Sequence, residues 1–333
     1  MRIGPADTDR QVAIVAEIGN NHEGDLTVAR ELVEAAAEAG AHAVKFQAID
    51  PAELVHPDDT ARLEQLERFR FTPEQFAELA SLARSVGIGF VCSAFSLEVV
   101  DWLAPFTDVL KVASGDNDYA ALLEHMGTTG KPVIVSSGMA DIGGLRRAQQ
   151  IVIGAGAEEV AVLHCVSAYP APPSAAHLAT IPVLARELGC TIGYSDHTLG
   201  LEASLAAVAL GARIIEKHMT LRHDYSEFRD HQLSAEPAEL RDLVNQVAEV
   251  ETLIGEPRQA AVLPEEEGVA AAARRSAVAA RDLPEGRVLA AGDVRFLRPA
   301  GPVGASTEVT GRVLRRARRA GERLEPDDFG ERS

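Results

Sequence analysis

Cysteine is scarce in this chain: three residues in 333, at positions 92, 165 and 190, with no CxxC pair. Odd in number and scattered, they indicate neither a disulfide framework nor a thiolate zinc site. Positive charge is also short, with 32 Lys and Arg against 50 Asp and Glu and a formal net charge of −18. Such a surface argues against nucleic acid or an anionic membrane as partner, but leaves room for a small basic pocket and an anionic substrate. No apolar run is long enough to span a bilayer, and polar residues 1–10 do not read as a signal peptide. A cytoplasmic protein is expected. The one basic cluster, Arg312, Arg315, Arg316, Arg318 and Arg319, lies among acidic residues and reads as a solvated face.

What is present is alternation. Between residues 12 and 253, short β-rich apolar runs are followed by stretches of helical period rich in Ala, Leu, Glu and Arg. The expected strands are 12–18, 43–47, 89–93, 109–114, 132–136, 160–165, 191–195 and 213–218; helices are expected over 27–39, 73–85 and 237–253, among others. Eight βα units over about 250 residues predict a (β/α)₈ barrel. An open doubly wound sheet is the alternative, but residues 17–24 read EIGNNHEG, not a GxGxxG turn. Composition changes at Gly255. Residues 257–273, rich in Pro, Glu and Ala, read as a linker. Residues 274–333, with short β runs broken by Gly and Pro, read as a small β-rich unit of marginal size for independent stability.

A barrel draws its chemistry from the C-terminal ends of its strands, and polar residues fall there: Glu17 with Asn20, Asn21 and His22; Lys45 and Gln47; Ser93; Lys111, Ser114 and Asp116; Ser136 and Ser137; His164, Ser167 and Tyr169; Ser195 to Thr198; Glu216 to His218. Lys45 and Lys111 interrupt otherwise apolar strands. Burying an unpaired ammonium costs several kcal/mol, so the pair suggests a shared anion, a salt-bridged core role being the alternative. Ser114-Gly115 and Ser136-Ser137-Gly138 are turns that also suit phosphate. Asn21 and His22 have capping of the next helix as their alternative. His197 and His218 end adjacent strands, and two imidazoles with oxygen ligands suit a divalent ion such as manganese. His22, His223 and His231 are candidates for proton transfer or supporting roles.

These motifs resemble the sialic acid (N-acetylneuraminate) synthase family. The likeness runs through residues 16–24 (AEIGNNHEG), 44–47 (VKFQ), 111–115 (KVASG), 130–132 (GKP), 163–165 (LHC), Tyr169-Pro170, 193–200 (GYSDHTLG), 216–218 (EKH) and Asp230-His231. Arg275-Ser276, residues 283–286 (LPEG) and 297–299 (LRP) resemble that family's antifreeze-like (SAF) lid. The resemblance implies condensation of phosphoenolpyruvate with an N-acetylated hexosamine aldehyde, usually N-acetylmannosamine, with phosphate released by C–O cleavage. It implies a divalent cofactor on His197 and His218, Mn²⁺ in the first instance with Mg²⁺ or Co²⁺ as alternatives. Lys45, Ser93, Lys111, Ser114, Ser136, Ser167 and Ser195 would hold phosphoenolpyruvate. Glu17 would face the reacting groups, with Gln47, Tyr169 and Asp230 nearby; His22 and Asp230 are implied as further catalytic residues, beside Lys45 and Lys111, and Asp116 would touch the sugar. Arg298 of the lid would contact the sugar across a domain-swapped homodimer. Asp116 stands where the family usually has glutamate. Arg229 adds a cation near the mouth that either pairs with Glu227 or, facing the pocket, favours a phosphorylated or acidic acceptor. A legionaminic-type product and a non-catalytic sugar-binding protein are the other readings.

Overall fold

The structure is a computed structural model and describes residues 1–256 and 262–332. Eight parallel strands close into a barrel in chain order: β1 Ala13–Gly19, β2 Ala43–Ala48, β3 Gly89–Ala94, β4 Val109–Val112, β5 Val133–Ser136, β6 Val160–Cys165, β7 Thr191–Asp196 and β8 Ile214–His218. Strand β8 pairs with β1, His218 lying opposite Glu17. The expected strand 109–114 stops at Val112, because Ser114–Asp116 coils into a 3₁₀ turn.

The flanking helices form where caps and apolar spacing agree. Helix Leu26–Ala39 is capped by Asp25, whose side chain accepts from the N–H groups of Thr27 and Val28, and it ends at Gly40 with φ of 91°. Its buried Ala29, Leu32, Val33, Ala36 and Ala39 follow helical spacing and face the sheet. Helix Pro73–Ser85 opens with a Thr72/Gln75 capping box and Pro73 in its first turn.

Strand alternation sorts the barrel interior into layers. The lower layer is apolar: Ala13, Val15, Ala43, Val91, Val109, Ile134, Ala161, Leu163 and Ile214 form one cluster. Met1, Ile3 and Ala6, carried by a short hairpin that pairs Arg2–Ile3 with Ala6–Asp7, join that cluster. Two residues further along the same strands the inward positions are polar: Glu17, Lys45, Ser93, Lys111, Ser136, Ser195 and Glu216 are all buried.

The chain divides into two compact units, 1–255 and 256–333. The second has its own small core, including Ala277, Leu283, Leu289, Leu314, Leu324 and Phe329. The reading of 257–273 as linker is corrected in part: Pro264–Glu266 forms a 3₁₀ turn and Glu267–Ala273 a helix, as four consecutive alanines and no glycine after Gly268 allow. Residues 257–261 lie outside the described residues. In the second unit Ser276–Ala279 pairs with Val294–Leu297, and Arg312–Leu314 with Phe329–Arg332. Residues 283–286 form no strand; Leu283 makes only an isolated bridge to Arg318. The unit also repeats itself. Asp293 accepts from the Ala290 N–H at 2.9 Å and Asp328 from the Glu325 N–H at 2.8 Å, each closing a 3₁₀ turn that leads into a strand. The cluster read as a solvated face is corrected in part: Arg315, Arg316 and Arg319 are exposed, but Arg318 and Arg316 bind the buried Asp328 at 2.6 and 3.2 Å.

Candidate active site

The polar layer forms the floor of a pocket at the C-terminal mouth of the barrel. Its centre is a chain of buried ions. The Lys45 ammonium lies 2.8 Å from Glu17 Oε2 and 3.8 Å from Glu216 Oε1, and Lys111 lies 3.9 Å from Glu216 Oε2. Hydroxyls complete it. Lys45 donates to Ser93 Oγ at 3.4 Å, Lys111 donates to Ser136 Oγ, and Ser195 Oγ donates to Glu216 Oε1 at 2.9 Å. Gln47 Nε2 donates to Glu17 Oε1 at 2.9 Å, and Asn20 donates to Gln47 Oε1 at 3.2 Å.

Burial governs the proton affinities here. Desolvation pushes the Glu17 carboxyl up, against the pull of Lys45, and Glu216 adds to the push. Glu216 is held below its ordinary value: desolvation opposes this, but attraction to Lys111 and Lys45 outweighs it. The two lysines separate. Lys111 is lowered by desolvation, whereas Lys45, between two carboxylates that overcome the same desolvation, is raised. Thus Glu17 is the carboxyl best placed to carry a proton, and Lys45 is a fixed cation.

Beside the floor is a hydroxyl-lined recess. A Cβ on Gly138 would come within 2.3 Å of Ser167 Oγ and 2.6 Å of Ser114 Oγ, so glycine keeps two hydroxyls clear around one backbone turn. Asn117 fixes that turn by donating to the carbonyls of Ser136 and Gly138.

Next to this recess, at the ends of β7 and β8, the rings of His197 and His218 lie 5.4 Å apart, with Tyr169 4.2 Å from His197. His197 donates through Nδ1 to the Val166 carbonyl at 2.9 Å, so the neutral ring would keep its lone pair on Nε2; desolvation opposes a proton there, but contact with Cys165 outweighs it and raises the ring's proton affinity. His218 Nδ1 is buried with no hydrogen-bond partner. Desolvation drives His218 well below the ordinary imidazole value, the neutral form a ligand requires. Among the described residues, no group of three or more His, Cys, Asp or Glu is placed to hold a metal. An ion held by these two imidazoles would need its other positions filled by oxygens of water or substrate.

Of the residues expected at the site, the pocket gathers Glu17, Lys45, Gln47, Ser93, Lys111, Ser114, Ser136, Tyr169, Ser195, His197, His218 and Asp230. Four lie elsewhere. Ser167 reaches the Gly138 recess but does not line the pocket. Asp116 sits in the 3₁₀ turn after β4, and Arg298 is an exposed residue of the second unit. The catalytic role expected of His22 is corrected: it is buried behind the loop, stacked on Phe71 at 4.2 Å, and its Nδ1 accepts from the Gly24 N–H at 3.0 Å. Nor do Asn21 and His22 cap the next helix, which Asp25 does.

Asn20, Arg62, Phe69, Ala113, Cys165, Glu216, Phe228 and Arg229 join the lining. Glu216 has a signal in the sequence, since it stands two residues before His218 and shares its face of β8. Arg229 pairs with Asp230 at 3.2 Å, not with Glu227, and its guanidinium lies over the Tyr169 ring at 4.9 Å.

Fold and site together define a (β/α)₈ barrel protein with a buried network of two lysines and two carboxylates as its floor, a hydroxyl recess and an imidazole pair at its mouth. A family model described as the NeuB family matches residues 32–259, and one described as the SAF domain matches 274–330. The chain belongs to the NeuB family. It is 33% identical over 312 residues to the N,N'-diacetyllegionaminic acid synthase of Campylobacter jejuni, covering 89% of this chain and 93% of that one. It is 35% identical over 293 residues to the N-acetylneuraminate-9-phosphate synthase of Homo sapiens, covering 83% and 80%. Among solved structures, the N-acetylneuraminic acid synthetase of Leptospira borgpetersenii, in complex with citrate, superposes with a TM-score of 0.76 at 32% identity over 81% of this chain and 94% of that one. Among the described residues, no helix is long and apolar enough to cross a membrane.

Proposed function

We propose that this chain condenses phosphoenolpyruvate with the aldehyde of a neutral N-acetylated hexosamine, N-acetylmannosamine or a close relative, giving a nonulosonic acid and inorganic phosphate. The observation that carries the reading is the buried Glu17–Lys45–Glu216–Lys111 chain beside the Ser114–Gly138–Ser167 recess. It sets two buried ammonium groups near two serine hydroxyls that could donate to an oxyanion. The named relatives, nonulosonic acid synthases, support the reaction class.

In this reading Lys45 and Lys111 hold the donor's charges, and Ser93, Ser114, Ser136 and Ser195 orient its phosphate. The donor's C3 forms the bond to the aldehyde carbon, water adds at C2, and the C2–O bond to phosphate breaks. Glu17, kept protonatable by burial, moves the proton between water and the new hydroxyl. Gln47 fixes its orientation at 2.9 Å. A divalent ion on His197 and His218, manganese in the first instance and magnesium or cobalt otherwise, would polarise the aldehyde oxygen.

Charge favours a neutral acceptor. The lining holds four basic residues (Lys45, Lys111, Arg62, Arg229) and three acidic ones (Glu17, Glu216, Asp230), one net positive charge. A divalent ion and a donor trianion bring the pocket to neutrality. Arg229 is already paired with Asp230, and Arg62 is hydrogen-bonded to Gln65, so the net balance of the pocket, not the pairing of every cation, is what favours a neutral acceptor. In the same reading the protein works in the cytoplasm as a domain-swapped homodimer, Arg298 of one chain serving the acceptor held by the other.

The test is phosphate release from phosphoenolpyruvate and manganese across a panel of aldoses, N-acetylmannosamine and its 6-phosphate included. Release is expected with the neutral sugar and not after EDTA treatment. A preference of tenfold or more for the 6-phosphate would replace the neutral acceptor with an anionic one, and release with no aldose would overturn the reaction.

A further inference from the structure

The floor of the pocket stands on strands, but one wall stands on a loop. Residues 219–235, between β8 and helix Pro237–Ile254, bring Phe228, Arg229 and Asp230 to the pocket with only the 3₁₀ turn Arg229–Gln232 as regular structure. What holds that loop comes from the opposite end of the chain. Asn21 donates to the Met219 carbonyl at 2.8 Å and to Ser234 Oγ at 2.9 Å, joining the loop's two feet. Ser234 Oγ in turn donates to the Asp230 carbonyl at 2.6 Å. His231 is fully buried. One ring nitrogen meets Thr220 Oγ1 at 2.6 Å and the other meets Glu23 Oε1 at 3.0 Å. Ser226 donates to the same Glu23 oxygen, and the Phe228 N–H donates to Ser226 Oγ at 3.0 Å.

Glu23 is thus tied to both sides of the three lining residues. Its backbone is constrained to do this. Its φ of 47° lies in the left-handed region, which costs a non-glycine residue on the order of 1 kcal/mol and persists only where surrounding contacts over-determine it. Gly24 follows at φ 85°, where a Cβ would meet the Arg68 carbonyl at 2.0 Å. The chain therefore passes close against the end of helix Thr60–Phe69, whose Phe69 lines the pocket and meets Phe228 edge-on at 5.2 Å.

We propose that Glu23 and His231 are positioning residues for the acceptor side of the pocket: their contact fixes the wall that presents Asp230, while the donor side is independent of it. The proposal rests on the reading above for what the acceptor is. Loss of the carboxylate leaves a buried imidazole nitrogen unpaired. The loop then shifts to recover a partner, and a displacement of about 1 Å at a positioning group can cost about 10²-fold.

The experiment compares Glu23→Ala with Glu23→Gln, which keeps an acceptor oxygen for His231 and Ser226. Glu23→Ala is expected to raise the KM for N-acetylmannosamine at least tenfold, with phosphoenolpyruvate affinity by calorimetry within twofold of the parent. Glu23→Gln is expected within threefold on both. Hydrogen exchange over residues 224–234 should quicken in Glu23→Ala and stay near the parent in Glu23→Gln. Equal loss of donor and acceptor affinity, an unaltered acceptor KM, or unchanged exchange would overturn the proposal. If the parent protein releases phosphate with no aldose, the reaction fails and the exchange comparison still decides the clamp.

Discussion

Both units of this chain bury carboxylates against basic side chains, and they do so in opposite ways. In the second unit Asp293 is closed off. One oxygen takes Arg281 at 2.6 and 3.0 Å, and the other takes Arg287 at 2.7 Å and a backbone N–H at 2.9 Å. Forked guanidinium and backbone donors leave no lone pair unanswered, and the Arg287 hydrogen bond, opposed by desolvation, holds the carboxyl well below the carboxylate range. In the barrel, two lysines share two carboxylates, with contacts of 3.8 and 3.9 Å among them, on the floor of a cavity. There Glu17 is pushed up and Lys111 pushed down, each toward its neutral form. One arrangement is complete without a ligand. The other is poised for one, and strained electrostatics of that kind collect at functional sites.

The largest expected effect tests the open network. Lys111→Met should reduce turnover at least 10³-fold, on the order of 4 kcal/mol of transition-state stabilisation. It should leave the thermal midpoint within a few degrees, because Glu216 keeps Lys45 and Ser195 and a desolvated ammonium is lost. A large fall in the midpoint with activity retained would make the lysine structural. The closed network should behave the other way. Asp293→Ala should lower the midpoint of the second unit by roughly 10 °C in calorimetry, since Arg281, Arg287 and the Ala290 N–H lose a shared partner. An unaltered midpoint would show that water replaces the carboxylate without loss.

The same contrast explains what is legible in the sequence. Period-two alternation sets which face a strand residue occupies, so the chain alone assigns Lys45, Lys111, Ser195 and His218 to the mouth of the barrel. Glu216 shares their face and is within reach of the same rule. His22 is not, because it lies in a loop, where chain spacing does not fix side-chain direction, and tertiary packing turns it onto Phe71. Arg229 is a loop residue too, and its choice of Asp230 over Glu227 depends on Tyr169, sixty positions away in the chain. The helix over Glu267–Ala273 is obscured by the prolines at 257 and 264 that precede it. The repeat in the second unit leaves only a sparse trace, Gly286, Leu289 and Asp293 recurring at the same spacing as Gly321, Leu324 and Asp328, with the positions between them dissimilar.

The smallest expected effect separates the two units by pH. Burial drives His22 down to about 3 from an ordinary 6.5. Its folded value lies below its unfolded one, so the unfolded chain takes up the proton first. The associated stability is whole above about pH 6.5 and drains as pH falls toward 3. His42, His164 and His218 are lowered in the same direction and add to the slope, whereas His197 and Glu17, both raised, subtract from it. Asp293 is also depressed, but from a carboxylate value, so its stability is present above about pH 4 and is lost only below that. Acid should therefore weaken the barrel across a window in which the second unit is unaffected. His22→Phe should keep the stack on Phe71 and remove part of the barrel's slope between pH 6.5 and 5, measured as the change of urea midpoint with pH. The Asp293→Ala protein should keep that slope in full. An unaltered slope in His22→Phe would mean that His22 takes up its proton in the folded barrel as readily as in the unfolded chain, and the loop behind the pocket would then be open to water.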